Sequence, residues 1–306
     1  FLTVQLSAQE MTLKKGIVVD SLKVSDTLDE TYSLYLPTAF RGERPWPVLF
    51  VFDGKGRGKS SAQFLQGIAE KQGYILVASN DINPNNGMLK NAEIASRLLT
   101  HAITLYPVDF AQIATVGSME GAKVATAIPV IYDNILGVVA VGRQWINFEI
   151  LDRKKSFSFI GVVGDEQFTF NGMQITANAL SQMNFSGEIY IFEGDEEWPK
   201  PVIMSSAIGS LTLDAMKKRV RPMNSQLVEE LFQQDLKRVN ELMSRGEWLH
   251  AESLLQTMES KYEGLRQLSE VRTRQNQLSR SGSLAQQKRE QERVREKESR
   301  LVDDFI

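Results

Sequence analysis

The stretch that most constrains this chain is IATVGSMEGAKVA, residues 113–125. An apolar run climbs to Gly117, the chain turns, and an alanine-rich segment opens at Gly121. Glycines two residues either side of Met119 predict a strand, a sharp turn and a helix that approach one another closely, because glycine alone leaves room for backbone against backbone.

The rest of the first 222 residues reads as repeats of the same alternation. PVLFVFD (47–53) and YILVASN (74–80) are continuous apolar runs of strand length, fit for strands buried on both faces. Between them Phe64, Leu65, Ile68 and Ala69 recur at helical spacing and Gly73 closes the segment. Ile94, Leu98, Leu99, Ala102 and Leu105 mark a second helix over 88–105. ILGVVAVG, SFSFIGVVG and GEIYIFEG follow as strands, with helices expected near 172–183 and 202–219. Short apolar strands alternating with helices predict an α/β fold, a three-layer α/β/α arrangement around a mostly parallel sheet. In such sheets function gathers at the carboxyl ends of the strands.

After Pro222 the character changes. Residues 223–306 contain no proline, and two amphipathic stripes, Leu227 to Leu242 and Leu249 to Met258, flank the turn SRGEW. Residues 223–265 read as a helical pair with a faint likeness to one tetratricopeptide unit. Residues 266–306 are charged and glutamine-rich with sparse apolar positions. They read as a solvated helix, a coiled-coil arm or a partner-dependent segment, cut at its end. The expected organisation is an α/β domain over 10–222 followed by this all-α extension.

A net charge of −3 argues against nucleic acid as a partner. No stretch has the length of a transmembrane helix. Cysteine is absent, which removes thiolate nucleophiles and cysteine metal sites, and the histidines are His101 and His250. Leu6-Ser7-Ala8 before Gln9 resembles the small-residue end of a signal peptide, so residues 1–9 read as its remnant and export to the periplasm or exterior is expected.

GKGRGKSS (54–61) ends like a phosphate-binding loop at Gly58-Lys59-Ser60, but the position of that motif's first glycine is Asp53, an acid that would face a phosphate. The glycines there more simply let a loop turn tightly over a strand end.

The order strand, glycine loop, helix, strand, helix, strand–turn–helix resembles the α/β-hydrolase superfamily, above all its secreted bacterial esterase and depolymerase-like members. The resemblance spans roughly residues 30–218. FDGKGRG stands where that family carries an oxyanion loop, GSMEG where it carries the G-x-S-x-G nucleophile elbow, and FEGDEEWP (192–199) resembles the segment that delivers the catalytic histidine. The resemblance therefore implies a degenerate triad: Met119 at the nucleophile, Glu196 at the histidine, and Gln167, with Asp165 and Glu166 beside it, at the acid. Asp53, Gly54 and Glu120 become the oxyanion-loop equivalents.

The chemistry fails at these positions for its own reasons. Acyl transfer needs a nucleophile that a base can deprotonate, and a thioether has no proton to give. Ser118 is adjacent, but shifting the register puts Val116 and Glu120 where the flanking glycines belong. His101 and His250 fall at the wrong places in chain order to serve as base. Asp53, Asp165, Glu166, Asp195, Glu196 and Glu197 could crowd the carboxyl edge, as a calcium site or an acid–base pair, or stand solvated. No cofactor and no zinc site is expected. Either Met119 fills the cleft, or Met119, Ser118 and Trp198 line a pocket that binds a ligand without cutting it. The expectation is an exported, catalytically inactive protein that binds a small ligand, or a protein partner through the C-terminal helices. The rival is an atypical esterase or peptidase with a displaced catalytic residue.

Overall fold

Val48, Phe50 and Phe52 face one side of a sheet while Leu49 and Val51 face the other, all of them fully buried. Alternate side chains of a strand point to opposite faces, so an unbroken apolar run needs cover on both. In a computed structural model of the chain, which describes residues 14–183 and 185–303, that cover is helical on each side. The segment 1–9 lies outside the described residues.

Among the described residues, eight strands form one sheet in the order β1 (Val18–Lys23), β2 (Thr31–Tyr35), β4 (Ile75–Ser79), β3 (Trp46–Asp53), β5 (Val108–Ser118), β6 (Ile135–Val141), β7 (Ser158–Gly164), β8 (Ser186–Phe192). β1 and β2 pair antiparallel with each other and β2 with β4; the remaining pairings are parallel. One face packs on α2 (Gly87–Leu105), α3 (Glu120–Ile131) and α4 (Phe170–Gln182). The other packs on α1 (Gly58–Gln72) and α5 (Pro201–Lys217). The expected mostly parallel α/β sheet with a helical C-terminal region is present.

α5 is buried from Ile203 through Leu213, small residues included, because a second helical layer covers its outer side. That layer is α6 (Ser225–Ser244) and α7 (Trp248–Tyr262). A Cβ on Gly209 would stand 3.1 Å from the Leu231 methyls, so the small residue is what lets α6 come down on α5. The extension is thus continuous with the core on this face: Leu231, Phe232, Val239, Leu255 and Met258 join Leu49, Val51 and Val116 in one apolar cluster.

The stretch after 266 differs from the single charged arm that its composition suggests. It forms two helices, α8 (Ser269–Ser279) and α9 (Gly282–Asp303), and its sparse apolar residues Val271, Leu278 and Leu284 are buried in the same cluster. Polar side chains supply the remaining attachment. Gln287 donates to Gly246 O at 2.8 Å, Gln275 to Glu259 at 3.1 Å, and Lys288 pairs with Glu252 at 2.7 Å. Such contacts leave no apolar period to read, which is why the sequence suggested solvation.

A buried ion pair ties the extension to the sheet. Lys261 is 1% exposed, and its ammonium donates to Asp235 at 2.8 Å, Ser206 O at 2.9 Å and the Tyr190 hydroxyl at 3.1 Å, which uses all three of its protons. Asp235 also accepts from Tyr262 at 2.7 Å and from Ser206 at 2.5 Å. Burial holds the Tyr190 and Tyr262 hydroxyls well above the ordinary tyrosine range, and the Asp235 charge adds to it. The cluster joins β8, α5, α6 and α7. Removing one partner of such a pair strands the other charge in the interior, so Lys261→Met is expected to cost about 3–5 kcal/mol in urea unfolding. The double variant Lys261→Met/Asp235→Leu should recover most of that loss; equal stability of the single variant and wild type would show the pair to be idle.

Candidate functional site at the carboxyl edge of the sheet

β5 ends at Ser118 and α3 begins at Glu120, leaving Met119 alone at the turn with φ 52° and ψ −120°. A bulky residue at positive φ is an outlier that costs about 1–3 kcal/mol and persists only when its surroundings fix it. Here Met119 N donates to Val141 O at 3.0 Å and Met119 O accepts from Ala122 N at 3.1 Å. The flanking glycines are required by contact. A Cβ on Gly121 would stand 2.0 Å from Phe52 O, and one on Gly117 would stand 2.3 Å from Gly121 O. The first turn of α3 therefore rests directly on the backbone of β3 and β5, and the apex residue is lifted over the end of the sheet.

Four loops meet there. At the end of β3, Asp53 is 1% exposed and surrounded by donors. Arg57 reaches it with Nε at 3.0 Å and Nη2 at 2.9 Å, Trp198 Nε1 at 2.9 Å, and the Lys55 amide at 2.9 Å. Ser61 and Ser118 hydroxyls lie at 3.3 and 3.4 Å. Burial pushes this carboxyl up, but the bonds from Arg57, Trp198 and Lys55 outweigh it and hold it below its ordinary 3.8. Across the cleft Glu197 accepts from Arg57 at 2.8 Å and pairs with Lys55, whose bond, more than that of Arg57, holds its carboxyl down. The loop after β3 is thereby latched to the loop after β8.

The expected oxyanion-loop residues are at this place with their groups largely spent. Asp53 is occupied as described. Gly54 N donates to Ser118 O at 3.2 Å, and a Cβ on Gly54 would lie 2.8 Å from Glu120 N. The Glu120 carboxylate is held by Arg143 at 2.5 Å and Lys123 at 2.9 Å. Gly56 and Gly58 lie against the end of β4, where added Cβ atoms would meet Asn80 O at 2.6 Å and Asn80 Oδ1 at 2.4 Å. Tight passage over a strand end explains these glycines without a phosphate.

Met119 and Gln167 come together around Gly142. A Cβ there would be 3.2 Å from the Met119 sulfur and 3.4 Å from the Gln167 amide atoms. Gln167 accepts from Gly164 N at 3.1 Å and donates to Glu196 O at 2.9 Å, so it crosslinks the loops after β7 and β8. The Glu196 backbone is part of this assembly, whereas its carboxylate lies beside Gly194 and lines a separate cleft toward α6. Ser118 is buried on Asp53 and does not occupy the apex.

Chain order sets His250 apart from this edge, but α7 carries it to the loop after β7. Its Nε2 is 3.6 Å from Asp165 and its Nδ1 is 3.2 Å from Glu247. His101 packs on Tyr32, its Nε2 3.3 Å from the Tyr32 hydroxyl, and burial pushes its pKa down. The six acids expected at this edge are dispersed: Asp53 and Glu197 are bound to basic side chains, Asp165 accepts from Gly194 N at 2.8 Å, and among the described residues no group of three or more acids and histidines is placed to hold a metal ion. Sequence reasoning missed Arg57 and Arg143, whose roles depend on partners from distant segments and leave no local signal.

No protein-family profile and no curated protein matches the sequence. Solved structures do. S-formylglutathione hydrolase (FrmB) of Staphylococcus aureus is 12% identical, with 65% of this chain and 97% of that one covered and a TM-score of 0.50. An esterase of Rhizomucor miehei is 11% identical, covering 66% and 85%, with a TM-score of 0.51. Est1E of Butyrivibrio proteoclasticus is 12% identical, covering 67% and 99%, with a TM-score of 0.50. At such identities the likeness is one of fold: the chain has the α/β-hydrolase fold.

The latch on Asp53 sets a pH dependence. A carboxyl that titrates lower in the folded state than in the unfolded one contributes stability that is complete above its unfolded pKa and lost as pH falls through its folded pKa. Asp53→Asn is therefore expected to lower Tm at neutral pH and to flatten the decline between about pH 5 and about pH 3, read by thermal melts of both proteins. Parallel acid limbs would exclude Asp53 as a contributor.

Proposed function

We propose that this protein is a non-hydrolysing member of the α/β-hydrolase fold that works by binding. The observation that carries the reading is Met119: the strained turn that elsewhere presents a nucleophile is kept at φ 52°, and a thioether stands on it. Gln167 and Glu196 at the acid and histidine positions complete a triad without an imidazole, and Gly54 N is already bonded to Ser118 O. Loss of nucleophile and base together costs about a millionfold in turnover. The ion pairs of Arg57 and Lys55 with Asp53 and Glu197 span the cleft, which favours a fixed surface over a site that must admit and release substrate. Export, read from residues 1–9, and a protein partner on the C-terminal helices belong to the same proposal. No helix among the described residues is long and apolar enough to cross a membrane.

A fluorophosphonate probe tests the absence of chemistry. The folded protein is expected to remain unlabelled, and 4-nitrophenyl acetate to be hydrolysed no faster than by the heat-denatured chain. Stoichiometric labelling mapped to one serine would overturn the reading in favour of a displaced nucleophile.

A further inference from the structure

A cleft of about 490 Å³ opens between the loop after β8 and helix α6. Its apolar wall is Phe192, Trp198, Ile203 and Leu242, of which all but Trp198 are buried. Trp198 is fixed twice, by its bond to Asp53 at 2.9 Å and by the Phe64 ring 5.4 Å away. Arg238 also lines the cleft. Its Nη2 donates to Ile191 O at 3.1 Å, and among the described residues no carboxylate stands within ion-pair distance of it. Burial lowers its pKa, with Glu247, Asp235 and Glu241 opposing from a distance. A half-buried guanidinium with unspent donors is suited to receive a carboxylate in bidentate fashion.

The rim carries the opposite sign. Glu193 and Glu196 are exposed on the β8 loop, Glu166 joins them from the loop after β7, and Glu241 faces them from α6. Lys200 and Arg245 are the rim's cations, and Arg245 stands 3.9 Å from Glu247. A simple anion entering here would pass a glutamate collar, and a simple cation would end against Arg238. A molecule that carries both a carboxylate and an ammonium on an apolar body satisfies both. The volume lies in the range of small-molecule sites.

We propose that this cleft binds a small zwitterion with an apolar body, of amino-acid or dipeptide size, its carboxylate on Arg238 and its ammonium among Glu193 and Glu196. The inference is independent of whether the Met119 turn performs chemistry, since Arg238 and the rim lie outside that turn. It gives the appended helices a role, because α6 supplies the receptor arginine and the hydrolase-like domain supplies the aromatic wall.

Calorimetric titration of the whole chain with L-phenylalanine, phenylalanyl-phenylalanine, phenylalaninamide and N-acetylphenylalanine tests it. Either zwitterion is expected to bind, the amino acid or the dipeptide preferred according to length, and the two analogues lacking one charge to bind about tenfold or more weaker. Arg238→Gln should abolish binding. Glu193→Gln/Glu196→Gln, which alters exposed side chains alone, should weaken the zwitterion while N-acetylphenylalanine, relieved of the glutamate collar, binds no weaker than before, so the test stands even if Arg238→Gln fails to fold. Absence of binding by both zwitterions, equal binding of the charge-deleted analogues, or binding unaffected by the rim variant would overturn the proposal.

Discussion

The contact of Gly121 with the backbone of Phe52 governs the rest of this molecule. With no Cβ between them, α3 sits on the end of β3 and forces the preceding residue into a left-handed conformation that a bulky side chain disfavours. Everything at the carboxyl edge is arranged around that approach. Asp53 follows Phe52 directly and is carried under the turn, where burial demands donors and Arg57, Trp198 and Lys55 N supply them. Trp198 and Glu197 belong to the loop after β8, so satisfying one buried carboxylate also fixes a loop that enters from the far end of the sheet.

That strain persists at Met119 is informative because nothing in the side chain favours it. A turn held at a cost of about 1–3 kcal/mol brings strand and helix into backbone contact. The thioether and the Gln167 amide both lie over Gly142, and that amide holds the backbone at Glu196.

The second organising interaction is the Asp235–Lys261 pair. It makes α6 and α7 part of the same core as the sheet, and two consequences follow for the surface. α7 brings His250 to Asp165, and α6 brings Arg238 over the wall formed by Phe192 and Trp198. The appended helices thus form one side of a cleft that the hydrolase-like sheet alone would lack.

The sequence alone determined the sheet, the turn and the helices. Apolar runs such as VLFVF and the spacing of Gly117 and Gly121 are local patterns, and local patterns fix local structure. It also determined which atoms stand at the apex, since a methionine there excludes a hydroxyl whatever surrounds it. Tertiary structure alone decided the partners of the charges. Arg57 reads as a solvated loop residue until Glu197, 140 positions away, is brought beside it; the stretch after 266 reads as a free arm until Val271, Leu278 and Leu284 meet the α6–α7 layer. Charge pairing and the burial of scattered apolar residues are set by distance in space, and sequence pattern records only distance along the chain.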